Sequence, residues 1–159
     1  MNIQVIRDTN GNSSGVYIPI SDWDTLVQKH LDLKQLVNIS PAKFAALADK
    51  LDSFVTLAPN WDSYNADSIS DKAIGNAKHV IDYLNANANV FYSFEINIFP
   101  MRDGGVQLEF DNENQSFEME IDVAGKLVLV GYNKNGDELF SKELSLHSLN
   151  ELASLTTKA

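Results

Sequence analysis

In three runs between residues 94 and 123 the apolar positions fall on every second residue. Phe94, Ile96 and Ile98 repeat in this way, Val106, Leu108 and Phe110 alternate with Gln107, Glu109 and Asp111, and Phe117, Met119, Ile121 and Val123 alternate with Glu118, Glu120 and Asp122. A period of two belongs to strands that bury one face. The pattern predicts strands at 90–99, 106–111, 117–123, 127–132 and 138–142, separated by Asp-Gly-Gly, Asn-Glu-Asn-Gln, Ala-Gly and Asn135-Gly136. Connections this short join antiparallel neighbours, and Asn-Gly is a strong hairpin signal. The expected fold class is therefore α+β, with an antiparallel β-meander of four to five strands packed on helices.

Three helices supply the packing face. Phe44, Leu47, Leu51 and Phe54 recur at helical spacing after Ser40 and Pro41, a capping residue and a first-turn proline, which predicts a helix over 41–56. Ser70 caps a second, 70–84, in which Ile74, Ala77, Ile81 and Leu84 share a face. A third, 148–156, opens with Ser148 and Glu151 at capping-box spacing and carries Leu149, Leu152 and Leu155.

Ahead of these lies a smaller unit. Runs 2–6 and 16–20 are β-rich and flank RDTNGNSSG, whose Asn10-Gly11 and Ser14-Gly15 suit positive-φ turn positions. Pro19 ends the second run or places it at an edge, and Ser21 with Asp24 starts a helix whose Trp23, Leu26, Val27, His30 and Leu31 share a face. A β-hairpin plus helix of about thirty residues cannot bury such a stripe by itself. The reading is two units, 1–37 and 38–159, with Trp23 as a partner-binding residue and a homodimer through the N-terminal unit as one way to cover it.

The run IQVIRDTNGNSSGVYIPISDWDTL resembles the hairpin and helix of Phd/YefM-type antitoxins through Val16, Tyr17, Ile18, Ile20, Trp23 and Leu26, over roughly residues 1–31. That resemblance implies a bacterial antitoxin with a cognate toxin as partner. It does not extend to DNA binding, because the family's operator-binding helix precedes the hairpin and here the hairpin begins at Asn2. The rest of the chain resembles a group of small uncharacterised bacterial proteins with an NWDxY loop, here Asn60, Trp61, Asp62 and Tyr64, and a DGG turn, here Asp103 to Gly105. This second resemblance implies a shared fold.

Charge changes the picture most at the centre of the meander. The net charge is −10, and residues 104–125 hold six carboxylates with no Lys or Arg. Twelve basic side chains against 22 acids argue against unassisted binding to nucleic acid or to an anionic membrane and favour a basic protein partner. Glu109, Asp111, Glu118, Glu120 and Asp122 are the partner-binding candidates. Like charges facing each other across strands repel, so three readings stand for this face: a solvated surface, a dock for a basic protein, or a divalent-cation site. The last ranks lowest because calcium takes oxygens converging from a tight loop rather than lying along strands.

Other chemistry is thin. With no cysteine, no HExxH, no GxSxG and no phosphate-cradling loop, and with His30, His79 and His147 in separate segments, no catalytic residue, metal ligand or cofactor is indicated. Asn60, Trp61, Asp62 and Tyr64 form a ligand-loop candidate, the alternative being that both rings fold back as plugs of the helix junction. No signal region and no apolar run near the eighteen or so residues of a membrane span is visible, so the expected location is cytoplasmic. Two functions follow: an antitoxin-like or immunity-like protein neutralising a basic protein, or a small enzyme or ligand-binding domain with its site at the Trp61/Tyr64 loop.

Overall fold

The computed structural model describes residues 4–7, 9–11, 13–19, 22, 41–91, 93–113 and 115–156. The chain divides into two compact units, Met1–Asn38 and Ile39–Ala159. The first contains the antiparallel pair β1 (Gln4–Arg7) and β2 (Ser13–Tyr17). Gly11 takes the left-handed turn conformation at φ +84°, and the Arg7 guanidinium donates to its carbonyl at 2.8 Å. Gly15, expected in the turn, instead lies inside β2 opposite Ile6, whose side chain occupies the space beside it. The second strand is therefore displaced toward the N-terminus from 16–20 and ends at Tyr17. Trp23 and the helical stripe that follows it lie outside the described residues.

The second unit runs α1 (Pro41–Phe54), α2 (Asp71–Ala86), the single turn α3 (Ala88–Phe91), β3 (Glu95–Pro100), β4 (Val106–Asp111), β5 (Gln115–Ile121), β6 (Leu127–Asn133), β7 (Glu138–Leu144), a 3-10 turn (Leu146–Ser148) and α4 (Asn150–Thr156). The five strands are ordered β3-β4-β5-β6-β7, every neighbour antiparallel, which is a meander. One face of the sheet meets the helices: Val106, Leu108, Phe110, Phe117, Met119, Ile121 and Leu129 are fully buried with Ala73, Ala77, Val80 and Leu84 of α2. Ser70 caps α2, its hydroxyl accepting from Lys72 N–H at 3.2 Å.

Two boundaries differ from the sequence pattern for identifiable reasons. Residues 90 and 91, expected at the head of the first strand, are helical, and the strand opens at Glu95. Asn87 ends α2 by directing its backbone N–H and its side-chain amide at the Tyr83 carbonyl, and the chain then takes one more turn that buries Phe91 edge-on against Tyr83, with ring centroids 6.2 Å apart. The last helix opens at Asn150 rather than Ser148. Ser148 is held in the preceding 3-10 turn, where its hydroxyl accepts from Ser145 N–H at 3.0 Å, and Glu151 pairs with Lys142 instead of completing a cap.

Candidate functional site

Strand parity sends Glu95, Asn97 and Phe99 of β3 to the sheet face opposite the helices, together with Gln107, Glu109 and Asp111 of β4 and Ser116, Glu118 and Glu120 of β5. The antiparallel register assembles them into cross-strand rows. Glu95, Asp111, Ser116, Tyr132 and Glu138 form one row; Asn97, Glu109, Glu118, Val130 and Ser141 the next; Phe99, Gln107, Glu120, Val128 and Glu143 the third. Glu95 directly opposes Asp111, and Glu109 directly opposes Glu118. Pairs of like charge so placed cost about 0.2–1 kcal/mol each.

Two lysines of α1 offset part of that repulsion, Lys43 beside Glu95 and Lys50 beside Glu109. Burial, then Asp111, then Glu118 push the Glu109 carboxyl above the usual carboxylate range, with Lys50 pulling the other way. The Lys50 ammonium reaches this region from α1, 4.5 Å from the centroid of the Phe99 ring. Gln107 donates to Glu109 at 3.1 Å, and the Tyr132 hydroxyl donates to Glu118 at 3.2 Å. Burial first, and then the neighbouring Glu118, raise the Tyr132 phenol, so it stays a donor at neutral pH. At the far edge Lys126 pairs with Glu143 at 2.9 Å.

Beside the acids runs a less polar band. Val128, Val130 and Tyr132 of β6 are half-buried, and Phe99 on β3 and Leu139 at the β7 register shift are 39% and 50% exposed. The core of this unit lies on the other side of the sheet, so none of these side chains belongs to it.

Of the five carboxylates read from the sequence, four lie on this face and one does not. Asp122 shares their parity, but β5 ends at Ile121 and Asp122 begins the turn to β6, where its carboxylate accepts from Lys126 N–H at 2.8 Å and its carbonyl from Gly125 N–H at 2.8 Å. It is a turn residue. Sequence reading missed Glu95, Glu138 and Glu143, which face the same way from flanking strands. Their parity was readable, but β3 and β7 were not joined to the acidic centre until the register was known.

The loop 60–67 is a self-bonded clamp. Asp62 accepts from Tyr64 N–H at 2.7 Å and from Ala66 N–H at 3.1 Å, Asn60 accepts from Asn65 N–H at 2.9 Å, and the Trp61 indole donates to the Asp67 carbonyl at 3.0 Å. Asn60, Ser63 and Asn65 all take left-handed backbone conformations, with φ 65–67°. Such residues persist where surrounding bonds over-determine them. Arg102 supplies the outer hold: its Nε pairs with Asp62 at 2.8 Å, and its Nη2 donates to the Tyr64 carbonyl. Burial alone pushes the Asp62 carboxyl up, but the two backbone N–H groups and Arg102 hold it below its ordinary range.

The NWDxY loop and the DGG turn are thus one structure. Asp67 N–H donates to the Arg102 carbonyl at 2.8 Å, and Ser70 N–H donates to the Gly104 carbonyl at 2.9 Å. The two rings part company. Trp61 is half-buried, whereas Tyr64 is 73% exposed with the Arg102 guanidinium 5.8 Å from its ring centroid, so Tyr64 is no plug of the helix junction. Its neighbours in sequence use their polar atoms to hold the loop, which leaves the ring facing outward. Arg102 went unnoticed in the sequence, though a signal was there: it is the sole Lys or Arg between Lys78 and Lys126.

Among the described residues no group of three His, Asp or Glu is placed to hold a metal ion. Nor is any described helix long and apolar enough to cross a membrane. No family model, curated protein or solved structure was found to match the chain.

Proposed function

We propose that this chain is a binding protein of the antitoxin or immunity kind, which captures a basic protein on the outer face of its sheet. The observation that carries the reading is the row structure of that face, where Glu109 opposes Glu118 and Glu95 opposes Asp111 beside a band of Val128, Val130 and Tyr132. Lys or Arg side chains of a partner would relieve the repulsion, and apolar side chains would cover the band. Long-range attraction between such surfaces acts mainly on the association rate and weakens with salt.

The N-terminal hairpin supports the same class from a second direction. Val5, Ile6 and Tyr17 are each about half exposed on its two short strands, which suits a second copy or a partner. The alternative, a ligand site at the Trp61/Tyr64 loop, is favoured by the exposed Tyr64 ring beside Arg102 and opposed by the internal use of the loop's polar atoms.

The test is association with the product of the adjoining gene, comparing the natural chain with Glu118→Lys/Glu120→Lys. The variant is expected to associate more slowly and to lose the dependence on salt while keeping its fold. Unchanged affinity at low salt would overturn the reading.

A further inference from the structure

A crevice of about 360 Å³ lies between α2, the β5–β6 turn and the exit of β7, at the low end of volumes for small-molecule sites. Its charge is opposite to that of the protein. Lys72 and Lys126 line it, with the His147 ring beside them, against one carboxylate, Glu143, in a chain of net charge −10. Glu143 already pairs with Lys126 at 2.9 Å. Among the described residues neither the Lys72 ammonium nor the His147 ring has an ion pair or a hydrogen bond.

The wall between these groups is shaped for them. Gly125 stands at φ +78°, and a Cβ there would come within 3.0 Å of Lys72 Cγ, 3.1 Å of Lys72 Cε and 2.6 Å of Asn76 Nδ2. Glycine therefore leaves room for the Lys72 stem to lie along the turn. Asn76 fixes the same turn by donating to the Gly125 carbonyl at 2.7 Å. Ala124, Leu127 and Leu146 add apolar lining.

We propose that this crevice binds a small amphipathic anion, a carboxylate or phosphate monoester on a short apolar body. The charged end sits with Lys72 and His147, and the body lies on Leu127 and Leu146. An unpaired ammonium and an unused imidazole ring beside apolar surface are the combination such a ligand needs, and elsewhere the protein's excess of acids repels it. The site borders the acidic face at Glu143 but does not rest on the function proposed for that face.

Butyrate and butyl phosphate, with butanol as the neutral control, test this by titration of the amide spectrum of the full chain. Both anions are expected to shift the resonances of Lys72, Asn76, Gly125 and His147, and Lys72→Gln/His147→Gln is expected to lower their affinity at least tenfold with the thermal midpoint unchanged. The variant changes exposed side chains, and a midpoint measured without ligand separates lost binding from lost folding. Absence of shifts at millimolar anion, equal shifts with butanol, or undiminished affinity in the variant would each overturn the proposal.

Discussion

Replacing Glu109 by Gln keeps the shape of the side chain and removes one charge from the most crowded position on the sheet. Glu109 faces Glu118 directly across β4 and β5, has Asp111 two residues along its own strand, and feels Lys50 as a counter-charge. A directly opposed pair costs a few tenths to about 1 kcal/mol. With Asp111 adding to that and Lys50 subtracting, the expected gain on neutralisation is about 0.5–1 kcal/mol at neutral pH. In a chain of this size that corresponds to a rise of about 1–4 °C in thermal midpoint. The pH dependence fixes the cause. Glu109 holds its proton more tightly folded than unfolded, so its ionisation destabilises the fold increasingly as pH rises from its unfolded pKa, about 4.3, through the higher folded value. Below both values it is neutral in either state, and the advantage of Gln should vanish. Thermal melts of Glu109→Gln and the natural protein, from neutrality down into the acid range, check this. A less stable Gln variant, or a gap that does not close on acidification, would refute the electrostatic reading of the face.

Gly104→Ala should destabilise the protein by about 2–4 kcal/mol, because the residue is buried at φ +86° and a Cβ would lie 2.8 Å from the Ser68 carbonyl oxygen; a chemical denaturation midpoint within error of the natural protein would contradict it. Asp62→Asn retains an acceptor for the loop N–H groups but loses the charge that Arg102 pairs with, so it should be less stable at neutral pH. Because the folded pKa of Asp62 lies below its unfolded value, its contribution is present above the unfolded value and is lost as pH falls through the folded one. Melts across that interval should show the two proteins converging in acid, and a constant difference would count against the pairing.

The meander was legible because alternation, Gly-containing turns and short connections agreed, and Gly104 and Gly136 indeed take positive φ. Boundaries were less so. Val90 and Phe91 are β-prone by composition, but Asn87 and the aromatic contact of Phe91 with Tyr83 impose a helical turn that only packing decides. Gly15 looked like a turn residue because glycine permits positive φ, yet it takes its place inside a strand opposite Ile6, where a Cβ would meet Ile6 only at ordinary contact distance. Asp122 had the parity of the acidic face and lost it to the turn that its own carboxylate builds. The pairing of Asp62 with Arg102 joins two residues far apart in the chain, and the crevice gathers Lys72, Lys126 and His147 from separate elements, so neither left a local spacing to read.

The clamp between the loop 60–67 and the DGG turn also orders events in time. Neighbouring strands of the meander pair through contacts close in sequence, whereas the bond from Arg102 to the Tyr64 carbonyl bridges 38 positions, and contacts of longer reach carry a greater closure cost. During synthesis the α1–α2 connection emerges well before the β3–β4 hairpin that holds it. Until that hairpin exists, Asp62 has no guanidinium and Asp67 N–H no Arg102 carbonyl to bond. The connection between the two long helices is thus closed by a part of the chain made after both of them, and the last turn of the clamp waits on the first turn of the sheet.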